Sequence, residues 1–560
     1  MNSTLFSRRI GLFLSFLAIA VLPASAQDLR LVTAAAEQDS ETAHLLINEG
    51  VDVNSSRADG ATALLWATHW DDLDLVDSLL AAGADVNAND DHQVSALERA
   101  AENASLPMIK KLLDAGANAN AAQTSGLTPL MTASETGNVD VVNALLTHGA
   151  EVNAETFETK STALMWAVAE QHTEIVQLLL TTGANARTST EKGFTPLMFA
   201  ARTGNTELAK ELIGSVVDIE VSNFSDALTD ENLSLIQEYI NTPSSDGTHV
   251  LPYAIISGQD TFALFLLNLG ANPDASMNGI HALHAAAGNV SLWLGEWYRR
   301  HGRGGLYAGL GQVQLRPHQR LPLVKALLVK GADPNVRIST SAMIMSYIGY
   351  PTKGAFEPFA CGTGDLSGAT PLWVAAHEMN GTRGQAHIFA VMPSGTTASI
   401  DVLQALLDAG ADQHLTTDDG TTPLMAAAGL GVATYTPRQP RGIRAISSEN
   451  AVKFLYEAGA DINAVNEANF TALHGAAFRG MNEVIEYLVA NGADIDARDF
   501  RGRTPFRMAE GSKQSFQFQS WPKTAELFAQ LGANTRLGIP GTVQERLRDV
   551  PVDVEIDAQP

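Results

Sequence analysis

The sequence predicts an all-α repeat solenoid on three observations. The first is a phrase that recurs along the chain: Thr or Ser two residues before Leu or Phe, a short alanine-rich stretch, Val or Leu ahead of Val-x-x-Leu-Leu, and Gly-Ala before Asp or Asn. The second is its period, since Gly50, Gly83, Gly116, Gly149 and Gly183 are 33, 33, 33 and 34 residues apart. The phrase returns at Gly270, Gly331, Gly410, Gly459, Gly492 and Gly532, which makes about twelve repeats. The third is that each period holds two short stretches with helical apolar spacing. Units of this size bury their apolar faces only by stacking on neighbours.

Each element of a unit follows from its residues. In Gly126-Leu127-Thr128-Pro129-Leu130-Met131-Thr132-Ala133 the glycine supplies a turn, and Pro129 falls in the first helical turn, where its missing N–H costs nothing. Small alanines let this first helix approach its neighbour closely. Val139, Val141, Val142, Leu145 and Leu146 form the apolar stripe of a second helix. Gly149 is expected to end that helix in a left-handed cap. Asn153 and its equivalents Asn87, Asn120 and Asn463 then open a hairpin finger, where Asn side chains are expected to bond the turn backbone. Thr-Pro-Leu and Gly-Ala-Asp-Val-Asn at this period resemble the ankyrin repeat. The resemblance covers residues 28–537 and implies helix-turn-helix units with β-hairpin fingers. It also implies binding of other proteins through the hollow made by fingers and first helices.

Residues 1–26 read as an export signal: Arg8 and Arg9 precede an apolar run from Ile10 to Leu22, and Pro23-Ala24-Ser25-Ala26 follows, with cleavage expected after Ala26. Ser7-Arg8-Arg9 also resembles a twin-arginine signal, although Gly11 stands where that motif takes Phe. A periplasmic or secreted bacterial protein is expected. Cys361 is the only cysteine, so no internal disulfide can form. Loss of the two arginines takes the net charge from −26 to −28. Such a field repels phosphate backbones and anionic lipid, so nucleic-acid partners are excluded. After the leader no apolar run is long enough for a membrane span. A monomer is expected.

Along the array, residues 27–57 read as an N-terminal capping repeat, with Ala34-Ala35-Ala36 but no Thr-Pro-Leu. Regular repeats occupy 58–216. Residues 217–245 keep only a second-helix pattern in Leu233, Leu235, Ile236 and Tyr239, as a truncated repeat and possible hinge. Repeats with insertions fill 246–537, and 538–560 is an aperiodic tail. The glycine spacings of 61, 79 and 49 residues in this half place insertions at 289–318, 380–398 and 430–447, with a smaller one at 511–518 and a lengthened finger between Asn335 and Thr370. Insertions at one place in successive repeats are expected to stack on the edge opposite the finger tips.

Two regions carry candidate partner-binding residues. The first insertion holds Trp293, Trp297, Tyr298, Arg299, Arg300, His301, Arg303, Tyr307, Arg316 and His318, with Arg320 beyond it, and the third holds Arg438, Arg441 and Arg444. Arg beside Trp and Tyr suits stacking and bidentate capture of carboxylates; equally, the aromatics can pack the insertions together while the arginines pair with acids. The second region is the hollow, where His69, Trp70, Glu135, Glu170 and Arg202 occupy open first-helix positions. Trp66 and Trp166 are expected in the core.

No catalytic residues, cofactor or metal ligands are assigned. His377-Glu378 lacks the second His of a zinc helix, since Gly381 stands there. His284 and His474 occupy the position at which the resemblance implies bonds to neighbouring backbone, which leaves His281 without a metal-binding companion. Gly302-Arg303-Gly304-Gly305 follows no strand, so it reads as a turn. Cys361 reads as small filler or a reactive thiol. A non-enzymatic scaffold with an unidentified protein partner is the first reading. The alternative is a small-molecule or glycan site, or an enzyme, in a pocket lined by Trp297, Arg299 and Arg438.

Overall fold

The computed structural model describes residues 28–219, 224, 228–301, 315–341, 365–379, 400–431, 446–500, 502–514 and 517–538. The leader, Arg303, Tyr307, Cys361, Arg438, Arg441, Arg444, the insertion at 380–398 and all but the first residue of the tail lie outside them. The chain divides into two compact units, residues 1–124 with 147–150, and residues 125–146 with 151–560.

In the first unit the helix pairs are Arg30–Ala36 with Ser40–Asn48, Ala63–His69 with Leu73–Ala81, and Ala96–Glu102 with Leu106–Asp114. Thr62 Oγ1 and Ser95 Oγ accept the amide N–H three residues on, which caps the two later first helices. Leu64, Leu75, Val76, Leu79, Leu97, Met108, Ile109 and Leu112 are buried between the layers. Gly83 follows its helix at φ +89°, a conformation that a side chain would strain.

The second unit repeats this plan from Pro129–Thr136 to Pro505–Glu510 with Pro522–Gln530. Prolines 129, 196, 371, 423 and 505 open first helices there. Asp230–Asn241 stands as a single helix between complete pairs. Its buried stripe is Ile236, Tyr239 and Ile240, while Leu235, expected inside, is exposed. Ser276–Met277 and Ile280–His281 form an antiparallel finger hairpin.

The asparagines act across repeats rather than within their own finger. In the first unit Asn54 Nδ2 donates to Gly83 O at 3.1 Å and its Oδ1 accepts from Asp85 N at 2.7 Å. Asn87 does the same with Gly116 O and Asn118 N. In the second unit Asn153, Asn241, Asn335 and Asn463 make the same pair of bonds to the next repeat. The turn itself is bonded by the residue two places earlier, as in Asp52 Oδ1 accepting from Asn54 N. Arg187 stands where the next asparagine would fall, at the truncated repeat. There the Tyr239 hydroxyl donates to Ala186 O at 2.9 Å, and Arg187 lies over the Tyr239 ring.

Replacing Asn153 by Ala leaves Gly183 O and Asn185 N without these partners, so about 1–2 kcal/mol of unfolding free energy should be lost. Asn153→Asp keeps the acceptor alone and should fall between the two. Urea denaturation of the full chain measures both; an unchanged midpoint for the alanine variant would mean that the bridge carries no net stability.

Candidate functional site

In the first unit an aromatic cluster forms where a finger meets a first helix. Trp66 and Trp70, one turn apart on Ala63–His69 and its cap, lie near-parallel with centroids 6.4 Å apart. His69 stands edge-on to both, at 5.8 Å from Trp66 and 4.6 Å from Trp70. From the finger, the Arg57 guanidinium reaches over the Trp66 ring at 6.0 Å. Trp70 Nε1 donates to Ala36 O of the preceding repeat at 3.3 Å, and Asn103 Nδ2 donates to Thr68 O and His69 O from the following one. The Trp70 ring is thereby held in place while 42 % exposed. A large aromatic kept wet and fixed is a ready contact surface.

Trp66 and Trp166 depart from expectation. Both are half-buried rather than core, and their Nε1 atoms have no hydrogen-bond partner among the described residues. They sit four residues after the helix-opening threonine, and the core stripe of so short a helix is filled by the small and aliphatic residues around them. Phe199 and Tyr253 hold the same repeat position. Reading that position across repeats would have revealed these aromatics.

In the second unit the first insertion turns inward. Trp293, Trp297 and Tyr298 are 1 %, 3 % and 2 % exposed, so they are not free partner contacts. The short helix Gly295–Arg300 lies against finger and first-helix residues, not on the edge opposite the fingers. Trp297 Nε1 donates to Thr248 Oγ1 at 3.0 Å, and its ring packs beside Phe194 and Tyr253. His301 stacks on Trp297 at 4.1 Å and donates from Nδ1 to Trp297 O. Its Nε2 is 3.3 Å from Asp246 Oδ2. Burial would raise the Asp246 carboxyl, but hydrogen bonds from Ser244 and Thr248 hold it below its ordinary value. Trp293 Nε1 donates to Leu366 O at 3.2 Å, and its ring meets Trp373 edge-on. Burying three large aromatics outweighs leaving them wet for a partner.

The arginines of this segment stay outside. Arg299 is exposed and pairs with Glu296, while Arg300 donates to Asn278 Oδ1 at 2.8 Å. Arg320, by contrast, is buried and donates to Ala285 O and Ala286 O. The cavity beneath the segment is about 20 Å³, room for about one water. It is lined by residues including Tyr298 and Arg320, not by Trp297 or Arg299. Glu135 and Glu170 are exposed and Arg202 half-buried.

Three buried histidines hold the frame. His284 Nε2 donates to Val336 O and Ala369 O, and its Nδ1 accepts from His281 N. His474 links Thr471 N to Arg503 O in the same way. His377 stacks on Trp373 and donates to Gly431 O. Among the described residues no group of three or more His, Cys, Asp or Glu could hold a metal. No described helix is long and apolar enough to cross a membrane.

Helix pairs, fingers and backbone-bonded histidines agree with the family model for ankyrin repeats (3 copies), which matches residues 31–123, 89–156, 154–223 and 443–517. This chain is an ankyrin repeat protein. Among curated proteins it is 33 % identical over 141 residues to human ankyrin repeat and SOCS box protein 16, covering 25 % of this chain and 28 % of that one. It is 30 % identical over 131 residues, 23 % of this chain, to a transient receptor potential cation channel subfamily A member 1 homolog of Caenorhabditis elegans. A 65-residue stretch, 11 % of this chain, is 45 % identical to the BRCA1-associated RING domain protein 1 of Caenorhabditis elegans. The matches span 9 % of each nematode protein, so the chain covers under a third of every one of these relatives. Ankyrin repeats suggest a protein-interaction scaffold.

Proposed function

We propose that the chain is a non-enzymatic periplasmic or secreted scaffold that binds another protein through the hollow of its first unit. The observation that carries the reading is Trp70: exposed, stacked on Trp66 with His69 edge-on to it, and fixed by a hydrogen bond to the repeat before it. A prebuilt surface loses little conformational freedom on binding, so a few anchors suffice. Export is supported by the arginine pair and apolar run ahead of Ala26. A pocket under the first insertion is disfavoured by the buried Trp297 and the small cavity there.

The test is a photo-cross-linker at His69 in the full chain, expressed in its own cell. One protein should be trapped, and Trp70→Ala should weaken its binding by about 1–3 kcal/mol without unfolding the array. Equal binding by the native chain and the variant would remove the hollow from the interface. Deleting residues 289–318 is not a clean alternative, because it would uncover Phe194, Tyr253 and Trp373.

A further inference from the structure

We propose that the Trp70 site takes a basic protein segment, with a lysine or arginine head group seated on the exposed face of the Trp70 ring. The inference rests on the scaffold reading and adds the chemistry of the partner.

Charge is the first argument. Residues 28–124 carry seventeen acidic and five basic side chains. Three of the five basic groups are already committed: Arg30 to Asp28, Lys111 to Asp77, and Arg99 to Glu102. The acids are therefore far from balanced within the unit, and a cleft of one sign raises the local concentration of the opposite one.

Placement is the second. Glu37, Trp70 and Asn103 are the C-cap residues of three successive first helices, which pack side by side in that order. Glu37 follows Ala36, whose carbonyl holds the Trp70 N–H, and Asp71 follows Trp70 itself; both are exposed. Helix C-termini also present carbonyl oxygens to this end, which favours positive charge.

The ring geometry is the third. Arg57 already lies over Trp66, so this aromatic pair accepts a guanidinium from within the chain. The electron-rich face of an indole attracts a cation in the same way from outside. A phosphate or an acidic peptide would meet the unbalanced carboxylates instead.

The experiment uses the full chain without its leader and two fluorescent peptides of about a dozen residues, one alternating Arg and Ser and one alternating Glu and Ser. The basic peptide should bind, more weakly as salt rises to about 0.5 M, and the acidic one should not. Trp70→Ala should weaken binding about tenfold, as should neutralising the local acids by Glu37→Gln and Asp71→Asn. Trp70→Phe should keep most of the affinity, because the aromatic face remains. Neutralising two distant acids, Glu174→Gln and Glu231→Gln, should change little. Equal weakening by the local and distant sets would reduce the effect to overall charge and overturn the site, as would native binding by Trp70→Ala. If the His69 cross-linker traps a protein whose contact segment is acidic or uncharged, the inference fails and the scaffold reading stands. If the basic peptide binds at Trp70 but no protein is trapped, the scaffold reading fails instead.

Discussion

Acid should destabilise the second unit well before most of its carboxylates are protonated. His284, His377 and His474 are buried in it, and burial holds the first at about 3, the last at about 4 and His377 below its ordinary 6.5. Above pH 6.5 these rings are neutral whether the chain is folded or not, so stability is at its full value. As pH falls below 6.5 the unfolded chain takes up protons that the folded one refuses. Stability is then lost at about 1.4 kcal/mol per pH unit for each ring, until pH reaches its folded value. Urea midpoints at several pH values between 7.5 and 4 should show this slope. His474→Gln, which keeps a donor and an acceptor, should remove one ring's share of it. A flat profile through that window would show that the folded unit admits the protons.

The second large effect concerns Trp293. Its side chain is fully buried, its N–H is used by Leu366 O and its edge by Trp373. Trp293→Ala should therefore lower the unfolding free energy by about 3–5 kcal/mol, read from urea denaturation by far-UV circular dichroism. Trp293→Phe keeps most of the packing but orphans the Leu366 carbonyl, at about 1–2 kcal/mol. A surface appendage would predict no loss for either variant. The two results together decide whether the insertion is part of the core.

What could be read from the sequence was what depends on near neighbours. The glycine landmarks, the prolines in first turns and the second-helix stripes are set within a few residues, and the helices lie where these features put them. The bonds of His284 and His474 to neighbouring backbone belong to the repeat and came with it. The direction of the first insertion did not, because Trp297 finds Thr248 across 49 residues and Trp293 finds Leu366 across 73. No local pattern encodes such meetings. An aromatic and arginine-rich stretch has the same composition whether it waits for a partner or fills the chain's own hollow. Trp70 was legible as exposed, but its stack with Trp66 was not, since Trp66, the middle residue of a seven-residue helix, is half-buried between core and hollow. Nor did the acidic composition alone show that the Trp70 N–H would be held by Ala36 O, next to Glu37.

The asparagine bridges bear on how such a chain can lengthen. Each joint is made by one side chain and two backbone groups of the next repeat, and backbone groups are supplied by any sequence. In Asn54, Asn87 and Asn463 the bond spans 29 residues; in Asn335 the same bond, at the same distance, spans 75. Closing a longer loop costs only slowly more. New segments can therefore enter between an asparagine and its glycine while the joint is inherited unchanged. The 75 residues between Asn335 and Gly410 show the joint kept whole across added chain, whereas beside the tryptophan-bearing segment Asp274 stands at the same place and keeps the acceptor half alone, from Asp333 N.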